Sequence, residues 1–141
     1  MKAIRNIWTA IALAGVIIGT VSCSKEKPSA TEAAKNKILG KWKLQTVVSN
    51  SFNGGVNHIS NRPDTSNQIM EFRNDGQVVY TDDHSLYESY GYGFSGPSSI
   101  WINVLLNFWD LKVLTDTDLQ LYQKWPGPYS SYEETTFIYH R

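Results

Sequence analysis

Gly91-Tyr92-Gly93-Phe94-Ser95-Gly96 spells the G-x-G-x-x-G of dinucleotide-binding loops. That spelling holds a pyrophosphate only where its turn feeds a helix whose N-terminus faces the phosphates. Here Pro97 and a β-type run follow, so the motif is rejected and the glycines are read as places where a strand can curve. His58, His84 and His140 are isolated from one another. Asp82-Asp83-His84-Ser85 sets carboxylates beside an imidazole, but neighbours on an extended strand point to opposite faces, which leaves a solvated strand end. Asp116 and Asp118 fall far short of the roughly six to eight oxygens of a calcium cage, and a hairpin turn accounts for both. No His-Glu-x-x-His, Cys-x-x-Cys or Gly-x-Ser-x-Gly occurs. The expectation is a non-catalytic protein with no metal and no cofactor.

The residue class in excess is aromatic, at 13% of the chain with eight Tyr and five Trp. Trp42, Phe72, Tyr80, Tyr90, Tyr92, Phe94, Trp109 and Tyr139, with Trp101, either fill an interior or line a cavity in which Tyr hydroxyls orient a ligand. Both readings stay open at this point. Trp125, Tyr129 and Tyr132 surround the Pro126-Gly127-Pro128 loop and are expected nearer the surface, where rings stack on sugars or touch partners. The charge balance excludes another class of partner. Thirteen basic and thirteen acidic residues give zero net charge, without the clustered Lys and Arg that phosphate backbones require, so no nucleic-acid partner is expected. With 41% apolar and 18% charged residues, the 141-residue chain is also too apolar to be disordered.

The elements that position these rings are strands. After Leu39 no long stretch carries a 3.6-residue period, whereas period-2 alternation recurs. Eight strands are expected. The first covers residues 41–49, with Trp42, Leu44, Thr46 and Val48 on one face; a polar loop follows over 50–67. Strands over 68–73 and 77–82 flank Asp75-Gly76, a strong hairpin signal. The others lie over 90–94, 99–106, 109–113, around Leu119 and Leu121, and over 132–140. Strands at this spacing form an antiparallel sandwich or barrel, and eight suit a small closed barrel without free edges. Residues 31–39 are expected to form a short helix capped by Thr31.

The N-terminus carries Lys2 and Arg5 and then an apolar run over residues 7–21, shorter than the roughly 20 residues of a spanning helix. This is an export signal rather than an anchor. Cys23, the one cysteine of the chain, follows directly after Val21 and Ser22. It resembles the lipobox of bacterial lipoproteins, in which the thiol becomes a diacylglyceryl thioether and the chain is cut just before it. Thr20 stands where that family usually has Leu. The resemblance implies a signal peptide over residues 1–22, a flexible lipid-anchored tether over 23–37, a domain over 38–141, and a place in the cell envelope, at the outer membrane. Cleavage removes Lys2 and Arg5 and leaves 11 basic against 13 acidic groups, a net charge of −2.

Gly40-Lys41-Trp42, after a short helical turn and at the start of the first strand, resembles the lipocalin signature, in which the Trp closes the barrel floor. Residues 109–121 and 133–141 look like the lipocalin-like domains of bacterial lipoproteins, with a Thr-Asp-Thr turn before Leu-x-Leu and a last strand ending in Arg141. The resemblance implies an all-β, small eight-stranded antiparallel up-and-down barrel that binds a small apolar or amphipathic molecule. It also makes the 50–67 segment a lid, with Gly54 and Gly55 as hinges and Phe52, Val56 and Ile59 capping the mouth. The alternative is a filled barrel whose loops bind an envelope protein or a glycan. If Cys23 is the acylated residue, Cys23→Ser abolishes labelling by a clickable fatty acid and leaves the chain uncleaved; labelling that persists in the variant contradicts the lipobox.

Overall fold

The computed structural model describes residues 27–103 and 107–141; the expected export signal and Cys23 lie outside the described residues. A helix, α1 (Ala30–Ile38), precedes β1 (Gly40–Asn53), β2 (Val56–Pro63), β3 (Ile69–Phe72), β4 (Gln77–Thr81), β5 (Tyr87–Gly96), β6 (Ser99–Ile102), β7 (Asn107–Leu114), β8 (Asp118–Pro126) and β9 (Tyr132–His140). The sheet runs β2-β1-β3-β4-β5-β6-β7-β8-β9, and β1 also pairs with β9. Eight strands therefore close into an antiparallel barrel, and β2 hangs on β1 outside the ring. The eight-stranded all-β barrel with a short N-terminal helix is the fold that the alternation implied. Of the strand expected over 99–106, Ser99–Ile102 is a strand and 104–106 lie outside the described residues.

The cap of α1 is Ser29 rather than Thr31: its hydroxyl accepts the backbone N–H of Glu32 at 3.2 Å. Ala34 and Ile38, four residues apart on one helical face, are buried. Residues 30–37 thus pack on the barrel and do not form part of a flexible tether. The end of α1 closes the floor. Trp42, fully buried, donates its indole N–H to the Ile38 carbonyl at 2.7 Å. Arg141 stacks its guanidinium 3.8 Å above the Trp42 ring and donates to the carbonyls of Lys37 (2.8 Å) and Leu39. Three carbonyls at the helix end, which have no intrahelical partner, are satisfied by these two side chains. Met70, Phe72, Val78, Ile100 and Leu119 fill the space above Trp42.

Two features depart from the expected strand pattern. In β1 an extra residue, Gln45, slips the pairing with β9 between Leu44 and Thr46. A bulge inverts the alternation beyond it. Trp42 and Leu44 are buried below it, whereas above it Val47 packs on the core and the Thr46 hydroxyl bonds Asn61 on the other face. The expected inward set of Trp42, Leu44, Thr46 and Val48 is therefore split. The second departure is the 50–67 segment, which is not a lid loop. β1 runs on to Asn53, turns at Gly54-Gly55 and returns as β2. Both glycines have positive φ (59° and 83°), as the two central residues of a type I′ hairpin turn require. The segment is polar because β2 is exposed along its whole length.

Gly93 has a separate reason to be glycine. It lies opposite Trp101 on β6, and a Cβ on it would sit 2.6 Å from the indole. The bare backbone of the Gly-rich strand is a bed for that ring.

The hairpin makes a residue-by-residue prediction. Antiparallel pairing alternates, and the Asp64 N–H donates to the Gln45 carbonyl at 2.8 Å, which places the amides of His58, Ser60 and Arg62 toward β1. Amide hydrogen exchange is expected to protect those three, while Asn57, Ile59 and Asn61 on the free edge exchange at unprotected rates. Uniformly fast exchange over 56–63 would instead match the loop that the composition implied.

Candidate functional site

Above the packed floor the barrel is hollow. A cavity of about 250 Å³ is lined by Gln68, Tyr80, Leu86, Glu88, Tyr90, Ile102, Asn107, Trp109, Leu121, Phe137 and Tyr139. Phe137 also borders a wider, more open chamber of about 560 Å³, lined by Leu44, Val47, Ser49, Arg62, Pro63, Asp64, Thr65, Trp125, Glu133 and Thr135. The inner chamber is walled mainly by rings and aliphatic side chains, with Gln68, Glu88 and Asn107 among them; the outer one has aliphatic hydroxyls, two carboxylates and Arg62. This arrangement follows from strand parity, since alternate residues of β4, β5, β8 and β9 point inward.

The candidate aromatic residues divide into three groups. Tyr80, Tyr90, Trp109 and Tyr139 line the inner chamber. Trp42 and Phe72 are 0% and 1% exposed and belong to the solid floor, so they are filling rather than lining. Tyr92 packs edge-on against Phe72 at 4.9 Å and donates its hydroxyl to the Arg73 carbonyl. With Phe94 it borders a groove under α1 and not the cavity. The proposed lid residues cap nothing. Phe52 stacks on Tyr132 at 5.4 Å, and Val56 and Ile59 stand exposed on the hairpin. None of the three lines either chamber.

Polar groups inside the cavity are few. Tyr90 donates to Glu88 at 2.8 Å, and this hydrogen bond, with burial and the Glu88 charge, raises the Tyr90 pKa. Tyr80 is pushed up chiefly by burial and further by Tyr90 and Glu88. Tyr139, 3% exposed, is held well above its ordinary value by burial first, then by Tyr80 and Asp64. In the outer chamber Asp64 works against its own desolvation. Hydrogen bonds from the Ser66 hydroxyl, the Ser66 N–H and the Gln68 N–H hold its pKa below the usual value.

Phe137, Leu121, Ile102, Gln68 and Glu88 were not singled out from sequence. Parity was the available signal for three of them. Phe137 is two residues from Tyr139, Leu121 two from Leu119, and Glu88 two from Tyr90. The acidic groups weighed as metal ligands have structural partners instead. Asp82 accepts the backbone N–H groups of His84 and Leu86, Asp118 bonds Thr117 and His140, and Asp116 pairs with Lys37 at 3.6 Å.

The buried phenols give a pH dependence with a definite sign. Released into an unfolded chain, Tyr80 and Tyr139 ionise at the ordinary value of 10.0, whereas in the fold their pKa is higher. Their burial therefore supports the fold fully below pH 10 and loses that support as pH climbs through the folded values. Absorbance titration at 295 nm is expected to show these two ionising only together with the loss of near-ultraviolet circular dichroism. Smooth ionisation of all eight tyrosines below that transition would contradict the burial.

Comparison of the chain with protein-family models, with curated proteins and with solved structures finds no match, so the functional reading rests on this geometry.

Proposed function

We propose that this chain is a lipid-anchored envelope lipoprotein whose lipocalin-like barrel binds a small apolar or amphipathic ligand without catalysing a reaction. One observation carries the reading: a largely apolar cavity of about 250 Å³ above a solid floor, walled by Tyr80, Tyr90, Trp109, Phe137 and Tyr139. An aromatic wall that carries three phenols suits a guest with an apolar body and a polar atom. The second chamber gives an amphipathic guest a place for its polar end, at Ser49, Thr135, Arg62 and Glu133. Cys23, with Val21 and Ser22 before it, supports attachment through acyl chains to the outer membrane. A second reading, in which an envelope protein or glycan is bound from outside, is favoured by the fully exposed Tyr129 in the β8–β9 loop.

Titration with the neutral fluorescent probe N-phenyl-1-naphthylamine distinguishes the two. Saturable enhancement at one probe per barrel is expected. Leu121→Phe, which fills the cavity at a stability cost of about 1–3 kcal/mol, is expected to weaken binding at least tenfold while the far-ultraviolet spectrum stays unchanged. Absence of saturable enhancement in the unaltered chain overturns the cavity reading.

A further inference from the structure

The inner chamber has a charge pattern beyond its shape. Among its eleven lining residues there is no Lys, Arg or His, and Glu88 is the single charged group. Glu88 sits on β5 at the same parity as Tyr90, at the rim, and accepts the Tyr90 hydroxyl at 2.8 Å. No basic side chain among the described residues lies within ion-pair distance of it. Tyr80, Tyr90, Trp109, Phe137 and Tyr139 contribute five rings to the same wall, with Tyr80 edge-on to Tyr90 at 6.0 Å and Trp109 edge-on to Phe137 at 5.4 Å. In the neighbouring chamber the one cation, Arg62, shares the lining with two carboxylates, Asp64 and Glu133.

We propose that the ligand of the inner chamber is a small organic cation, an amine or quaternary ammonium on an apolar group, held between the aromatic wall and Glu88. The inference rests on the ligand-binding reading and names the chemical class of the guest. An anionic amphiphile such as a fatty acid would enter past Glu88 with no cation in the lining to receive it. A neutral guest would leave the exposed Glu88 charge to the Tyr90 hydroxyl and water alone. A cation uses both features, since aromatic faces attract positive charge and do so more strongly when water is excluded. The Tyr139 hydroxyl, also in the lining, can accept an N–H where the guest is an amine. At about 30 Å³ per water, the cavity of about 250 Å³ holds roughly eight waters, the scale of a small organic molecule.

Benzyltrimethylammonium and neopentylbenzene have the same shape and differ by one charge. Each is titrated calorimetrically into the full chain and into Glu88→Gln. The expected result is at least tenfold tighter binding of the cation, a difference of about 1.4 kcal/mol, with most of that preference lost in Glu88→Gln and neopentylbenzene unaffected by the substitution. Equal binding of the two, or tighter binding of neopentylbenzene, overturns the cation assignment and leaves the cavity reading intact. A preference that survives in Glu88→Gln overturns Glu88 as the seat of the charge. Failure of both compounds to bind overturns the cation assignment and the cavity reading together.

Discussion

Trp42, Arg141 and the end of α1 form a knot on which the barrel depends. A helix ends with carbonyls that have no intrahelical partner, and here the last turn sits at the closed end of the barrel. The Trp42 indole takes the Ile38 carbonyl, while Arg141, from the last residue of the chain, takes those of Lys37 and Leu39 and covers the ring. One cluster thus joins the helix, the first strand and the C-terminus. Against it Met70, Phe72, Val78, Ile100 and Leu119 build a solid layer.

Closure then forces asymmetry on the open end. β1 is fourteen residues long, while β3 and β4, next to it in the ring, have four and five. The first four residues of β1 pair with β3, and its upper part pairs with β2 on the same edge. The bulge at Gln45 lets the long strand change its inward set between these two regions. β1, β2, β8 and β9 together line the outer chamber. The cavity is what remains above a floor that is packed fully.

Much of this architecture was legible from alternation. Period-2 patterning located the strands, Asp75-Gly76 a hairpin, and Gly40-Lys41-Trp42 the floor. What stayed hidden was hidden for physical reasons. β2 is exposed on both faces, so no apolar alternation marks it, and Gly54-Gly55 was the one local signal of its hairpin. A bulge has no composition of its own, so Val48 could not be told from Val47 as the inward residue. An aromatic residue buried in a floor and one lining a cavity obey the same parity. Trp42 and Tyr139 differ only in how far up the barrel they stand, which depends on pairing across the whole sheet. Glu88 was legible in principle: an acidic residue two positions from an inward-facing Tyr is costly to place unless water or a guest reaches it.

A double-mutant cycle on the floor tests the account most directly. Stabilities of the unaltered chain, Trp42→Phe, Arg141→Met and the double variant are measured by denaturant unfolding. Stacking of a guanidinium on a buried indole predicts a coupling of about 1 kcal/mol or more between the two positions. Additive effects, within roughly 0.3–0.5 kcal/mol, would mean that Trp42 and Arg141 act independently and that the knot does not hold the barrel closed.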